Sequence, residues 1–446
     1  MPSPSDTVSI FQPLRHARFR QLWMANLLSN LGSRMQAFAA AWQIASLSQS
    51  PQLTALVQTA TWAPMLLFAL PAGALADTLH RPTLLFRSNA VMAAAAVVMA
   101  LLAYGGRQPV PALLLLTFVM GAGMAFTMPA WQASMSSLVP LHEVESAATL
   151  NNLSYNLAAL AGPALGGALF QLSGAGPLYL FNAVSFSALL WIYRQWRPAE
   201  PPRAAASGAG HGVGSHGVDN HAASSDSAGS HGLGGGAASS DNAGSHGAGN
   251  RDVGSRGMAS ALHISCASPR YRSLLMYAMG IFFVSAAFAA LLPLLHPDAG
   301  TYGSLMGALG AGAVVAAVVL PAVRRRAVKR MVLAGGLGVY GAMLATLGHA
   351  ASQPLRLLLV LIGGVAWSAI VTTLNGAAQK AFPDAVRART LSVHILAIAA
   401  GQTVGSAAWG MLAARCGIVP ALTAAGAATL ACAALVACSN DFLETI

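Results

Sequence analysis

Arg34 has the largest chemical consequence of any residue in this chain, because it stands near the middle of the apolar stretch 20–46. A guanidinium is permanently charged and presents five N–H donors in a planar fork. At the centre of a hydrocarbon layer such a group costs at least about 2.5–3.5 kcal/mol on insertion scales, so it should face a water-filled cavity or a partner. All 13 acidic residues fall in tails, turns or a polar linker, which leaves no carboxylate at that depth. An anionic ligand is therefore an attractive partner for Arg34. The plainer alternative is an arginine held by backbone carbonyls and water, or one that snorkels outward.

Other polar side chains interrupt apolar stretches in the same way. At about 100° per residue, Asn26, Ser29, Asn30, Ser33, Arg34 and Ala37 share one helical face, and Leu28, Leu31, Met35, Phe38 and Trp42 the opposite one. That pattern predicts a cavity face and a lipid face. Asn152, Tyr155, Asn156, Ala159, Pro163 and Gly166 line up in a fifth stretch, Ser368, Thr372, Asn375 and Gln379 in a tenth, and Gln58, Thr61 and Trp62 in a second. The candidate binding set is Asn26, Asn30, Arg34, Gln58, Trp62, Gln132, Asn152, Tyr155, Asn156, Asn375 and Gln379. His394 lies on one face with Gly401 and Gly405, either as a hydrogen-bonded structural residue or as a proton carrier. Asp77, at the end of the second stretch, could accept hydrogen bonds from a helix N-terminus or pair with a turn arginine such as Arg81, and so act as a switch; a capping aspartate is the plainer reading. Small residues allow helices to approach closely and a proline loosens a helix, so Gly162, Pro163, Gly166 and Gly167 suit both packing and bending.

The elements that position these residues are the apolar stretches themselves. A membrane span needs about 20 mainly apolar residues, and twelve stretches qualify: 20–46, 52–76, 83–105, 109–138, 147–172, 176–194, 271–294, 301–323, 331–349, 354–379, 390–414 and 418–438. The chain is 55% hydrophobic and 8% charged, where about a quarter of a soluble domain is charged. This is an all-α polytopic membrane protein. Of the cations outside the linker interior, 17 fall in the N-terminal tail and the even-numbered turns, and three (Arg107, Arg356, Arg415) on the other side. That split places both termini in the cytoplasm. The net charge of +11 is spread over short turns and argues against nucleic-acid binding. The first stretch is too long, and too polar on one face, for a cleaved signal peptide. Four scattered cysteines form no disulfide or metal framework. Residues 195–269 break the apolar pattern with a Gly/Ser/His-rich tract carrying a 15-residue repeat at 214–228 and 229–243. It reads as a disordered linker; a metal-sensing histidine tract is the alternative. The chain thus divides into 1–194, 195–269 and 270–446, with six spans on each side of the linker.

The two halves look like copies. A shift of 243 residues lays Gln132 to Pro140 over Asn375 to Pro383, and a shift of 239 lays Gly162 and Gly166 over Gly401 and Gly405. Both halves start on the same side, so the repeat is parallel, an architecture that puts a substrate site between the halves near mid-membrane. Gly73-Ala-Leu-Ala-Asp77-Thr-Leu-His-Arg81 resembles the loop signature between the second and third helices of the major facilitator superfamily. Gly162-Pro163-Ala-Leu-Gly166-Gly167 resembles the end of the glycine–proline motif of its exporters and antiporters. The stretches Leu14 to Trp23, Ser29 to Ser33 and Leu150 to Ala158 are similar to the subgroup containing the enterobactin exporter. Thr78, His80 and Pro82 depart from the loop signature, where basic, glycine or acidic residues are usual, and this thins the gating loop.

The resemblance implies the major facilitator fold, twelve transmembrane helices in two six-helix pseudo-repeats. It also implies an alternating-access exporter, proton-coupled, in the bacterial inner membrane. Gly73, Asp77, Arg81, Gly162, Pro163, Gly166 and Gly167 would serve gating, and the amide-rich faces favour a siderophore or similar polar, partly anionic metabolite. A multidrug pump, an importer of a small organic solute and a transporter-like sensor are the alternatives. No nucleotide-binding fingerprint occurs, so direct ATP drive is not expected. The expected partners are a small-molecule substrate, the lipid bilayer and a periplasmic or outer-membrane export component. The protein would act as a monomer without cofactor or metal and would not be an enzyme.

Overall fold

The computed structural model describes residues 11–78, 80–135, 138–195, 265, 267–295 and 298–439. The repeat-bearing tract expected as a linker lies outside the described residues. Twelve long helices follow one another: α1 Ala17–Ser48, α2 Pro51–Thr78, α3 Arg81–Tyr104, α4 Val110–Met135, α5 Val144–Ser173, α6 Gly176–Gln195, α7 Pro269–Leu291, α8 Ala299–Arg326, α9 Lys329–Leu347, α10 Gln353–Lys380, α11 Asp384–Cys416 and α12 Ile418–Cys438. Among the described residues, ten of them, α3 to α12, are long and apolar enough to cross a membrane by length and composition. In α1 the run of hydropathy is broken by Asn26, Asn30, Arg34, Gln36 and Gln43.

Helix ends follow local chemistry. Pro82 sits in the first turn of α3, where its missing N–H leaves no bond unmade. The Asp298 side chain caps α8 by accepting from the Thr301 backbone N–H and hydroxyl, each at 2.7 Å. Gln49 ends α1 in the left-handed region, at φ 48°.

Helix pairing reveals the repeat in space. Within the first half, α1 packs on α5 and α6, α3 on α4 and α6, and α2 on α4; within the second, α7 packs on α11 and α12, α9 on α10 and α12, and α8 on α10. Adding six to each helix number converts the first set into the second. Between the halves, α5 packs on α8 and α2 on α11, which are the same pairing exchanged across a pseudo-two-fold axis. The fold is therefore the twelve-helix parallel repeat expected from the sequence.

The paired glycines perform equivalent tasks. A Cβ at Gly162 would collide with Arg34 and one at Gly166 would crowd Phe38 of α1, and one at Gly401 or Gly405 would collide with Met279 and Phe283 of α7. Each half thus packs its fifth helix on its first through the same two positions. Gly167 belongs to the other seam: its added Cβ would lie 2.9 Å from Gly303 Cα, and one on Gly303 would lie 2.8 Å from Gly167 Cα. With no hydrophobic driving force between helices in lipid, such close approach is what holds them.

A bulky residue in that seam should force α5 and α8 apart. Gly303→Leu is expected to cost about 1–3 kcal/mol through overpacking, read as a lower unfolding temperature in detergent. Gly335→Leu, with nothing within 4 Å of an added Cβ, should unfold like the wild type. Equal behaviour of the two variants would contradict a close-packed seam.

Candidate functional site

The helix ends bearing most of the Lys and Arg residues form one end of the bundle, called here the basic end. It holds the start of α1 and the α2–α3, α4–α5, α8–α9 and α10–α11 connections. The contacts described between the halves lie toward the opposite end. The Phe38 ring stacks on Tyr302 with centroids 4.8 Å apart, and Trp42 stacks on the same ring at 6.0 Å. Gln171 Nε2 donates to Asp298 Oδ1 at 3.0 Å, and the Thr59 and Ser406 hydroxyls are 2.8 Å apart across α2 and α11. Nearer the basic end, Tyr155 and Asn156 of α5 and Val314 and Val318 of α8 are exposed. The halves are joined at one end and part toward the other.

The faces of α1 are placed otherwise than periodicity suggested. Phe38 and Trp42, expected to meet lipid, stack on the second half, and Met35 is 2% exposed. Their face points to the centre of the molecule. The polar face instead meets α5 and α6 of its own half. Asn26 Nδ2 donates to Asn151 Oδ1 at 3.2 Å, Asn30 Nδ2 to Ser154 Oγ at 3.3 Å, and Trp23 Nε1 to the Leu150 carbonyl at 2.9 Å. Periodicity shows that a helix has two faces. It does not say which neighbour each face meets, and an inner helix has protein on both.

A buried polar seam extends this contact. Asn182 Nδ2 donates to Gln36 Oε1 and the Tyr179 hydroxyl to Gln43 Oε1, both at 2.6 Å. Ser33 and Ser185 donate to Asn182 Oδ1. All of these except Ser33 are buried. Apart from Ser33, none of these residues stood out in the sequence. Their signal was the seven-residue interval between Gln36 and Gln43, two turns on one face, with Tyr179 and Asn182 one turn apart in the facing helix.

Arg34 lies at the border between this seam and the space between the halves. Its stem crosses Gly162, and its Cζ stands 4.4 Å above the Tyr155 ring. No hydrogen bond or ion pair to it is found among the described residues. A cation–π contact contributes about 0.5–2 kcal/mol and leaves the five donors unused. Asn152, Tyr155 and Asn156 are exposed on the side of α5 that faces between α1 and α8, while Leu153, Leu157, Leu165, Leu169 and Leu172 occupy the other side. The polar side is the inner one.

The remaining candidates are dispersed. Gln58 is half-buried, Trp62 packs against the main core, and Gln379 is exposed. Asn375 Oδ1 is 3.1 Å from His394 Nε2, so these two pair across α10 and α11. His394 is 1% exposed, and its Nδ1 has no hydrogen-bond partner among the described residues. Gly73 and Asp77 fall in the last turns of α2 and Gln132 in α4, but their side chains lie outside the described residues. Arg81 opens α3 and is exposed. A shallow cleft on α7 and α12, lined by Met276, Tyr277 and Cys432 among others, is separate from all of these.

Two kinds of asparagine follow, and substitution should separate them. Asn182→Ala leaves Gln36 Oε1 and Ser33 without their partner and should lower stability by about 0.6–1.7 kcal/mol. Asn152→Ala and Asn156→Ala should leave unfolding temperature unchanged and alter transport instead. Thermal unfolding of the purified variants checks the division; a loss for Asn156→Ala equal to that for Asn182→Ala would contradict it.

Comparison with known proteins agrees with this architecture. No curated protein sequence matches the chain. Among solved structures, a bacterial homolog of the human lysosomal transporter Spinster, in an inward-facing and unoccupied conformation, superposes with a TM-score of 0.64 at 15% identity, over 97% of each chain. A peptide-bound POT family transporter gives 0.66 at 13% identity, over 94% of this chain and 95% of its own. A nucleoside transporter gives 0.64 at 11% identity, over 94% and 99%. These likenesses establish the fold, and family membership comes from the sequence match over residues 8–212 and 251–441. The chain belongs to the transmembrane secretion effector family of major facilitator secondary transporters.

Proposed function

We propose that this transporter exports a polar, partly anionic small molecule from the cytoplasm by alternating access, with the basic end and both termini cytoplasmic. The observation that carries this reading is Arg34, a fixed cation at membrane depth resting on Tyr155 beside the exposed Asn152 and Asn156. Among the described side chains the carboxylates are those of Glu143, Glu145 and Asp298, all at helix ends, so no described carboxylate side chain within a span competes for it. The excess of cations at one end supports the orientation. The family's description as a secretion effector supports export. The halves part on the side from which an exported substrate would enter.

A siderophore or similar metabolite with several anionic oxygens suits such a site. Proton antiport is the proposed drive, with His394 as the carrier: it is a buried titratable group with one free ring nitrogen, linked to the cavity helix α10 through Asn375. A hydrophobic-drug pump is the second reading. It is favoured by Met24, Leu28 and Leu31 on the inward side of α1 and by the Phe38, Trp42 and Tyr302 cluster.

Uptake into inside-out membrane vesicles separates the readings. Arg34→Gln should weaken transport of anionic candidates by about ten- to over a hundred-fold in apparent affinity, the equivalent of about 1.5–3 kcal/mol for a charge-assisted contact. Neutral candidates should change little, and Arg34→Lys should recover part of the loss, since an ammonium keeps the charge but not the fork. Equal loss for anionic and neutral compounds would make Arg34 structural and favour the second reading.

A further inference from the structure

A second arginine turns into the same space. Arg324 continues the α8 stripe of Tyr302, Met306, Ala313 and Leu320, at spacings of four and seven that keep one helical face. Tyr302 on that stripe meets Phe38 and Trp42, so the stripe faces the centre of the molecule. Arg324 belongs to the run of cations that sets orientation, and a residue with that task alone would extend outward to the headgroups. Instead its Nη2 reaches back along the span to the Thr372 hydroxyl at 2.8 Å and the Thr373 hydroxyl at 3.1 Å on α10. No carboxylate pairs with it among the described residues, and its Nε and Nη1 donors have no partner there.

The contacts that hold the two guanidinium groups are on opposite halves and differ in depth by about one helical turn. Tyr155, under Arg34, comes eleven residues after the start of α5, and Thr372 eight before the end of α10. At about 1.5 Å per residue these are about 17 Å and about 12 Å in from the basic end.

We propose that Arg324, anchored by Thr372 and Thr373, is a second anion-binding group opposite Arg34, and that the substrate carries two separated anionic oxygen groups, one for each arginine. This rests on the cavity reading above and names the substrate class of that site. The pair also ties loading to closure. Bringing the basic ends of α5 and α8 together brings the two guanidinium groups closer, which like-charge repulsion opposes when the cavity is empty. A ligand with two negative groups between them neutralises both and removes that barrier.

Straight-chain dicarboxylates from succinate to sebacate, with monocarboxylates of matching length, serve as molecular rulers. The readout is thermal stabilisation of the purified full-length protein in detergent, in which direction of transport plays no part. Over a limited range of lengths, dicarboxylates should stabilise the wild type at concentrations about tenfold or more below those needed for monocarboxylates. Arg324→Gln and Arg34→Gln should each bring the dicarboxylate response down to the monocarboxylate level, and the double variant should abolish it. Arg324→Lys guards against misfolding, because it should unfold like the wild type without ligand and keep part of the length preference. An unchanged dicarboxylate response in Arg324→Gln would overturn the second site while leaving Arg34 and the export reading standing. A wild type that responds to no carboxylate of any length would overturn the dianion proposal itself.

Discussion

A polar side chain in hydrocarbon has no water to fall back on, so every such group within a span must find a protein partner or face an aqueous space. That constraint arranges this molecule. The amides of α1 meet it by pairing with α5 and α6: Asn26 with Asn151, Asn30 with Ser154, and Gln36 with Asn182. These contacts fix three helices of the first half as one body. Arg34 and Arg324 use few of their donors in the protein and lie where the helices part. In the first half the paired amides of α1 build its seams, while the two arginines keep donors free where the helices part.

The seams between the halves contain different material. Gly167 meets Gly303 backbone to backbone, and the Gln171–Asp298 contact sits at its outer end. Across α2 and α11 the contact is made by Thr59 and Ser406. Small residues and hydroxyls allow two surfaces to slide or tilt without repacking large side chains, which is what alternating access requires of an interface. The halves also differ where they are otherwise equivalent. Against Gly162 and Gly166 the first half places Arg34 and Phe38, while against Gly401 and Gly405 the second places Met279, Phe282 and Phe283. Only the first half puts a charge at this crossing. The cation of the second half enters instead from the end of α8.

Much of this was legible in the sequence. The fifth span, expected at 147–172, is Val144–Ser173, and the first, expected at 20–46, is Ala17–Ser48. Apolar length defines a span almost by itself, because a bilayer imposes the length. The glycine pairs matched by a shift of 239 residues occupy equivalent positions in space. The neighbours of each face were not legible. Leu31, Phe38 and Trp42 look like lipid-facing residues because an apolar face carries no label, and lipid and protein are equally apolar. Arg324 was counted as a topogenic charge because a cation at a helix end usually is one. Its inward turn depends on Thr372, 48 residues away, which no local pattern reveals.

With the α5–α8 and α2–α11 seams as pivots, the proposed alternating access would open the cavity at one end only when it is closed at the other. Pulsed electron paramagnetic resonance on the protein in lipid nanodiscs tests this most directly. One pair of spin labels goes at Ala148 and Ala322 at the basic end, and a second at Leu172 and Ser304 at the opposite end, all exposed positions of α5 and α8, in a background without the native cysteines. Two populations are expected, with distances that move in opposite senses: long at the basic end with short at the other, and the reverse, their proportions shifting as pH and candidate substrates are varied. Distances that stay fixed at both ends under all conditions, or that lengthen and shorten together, would contradict it.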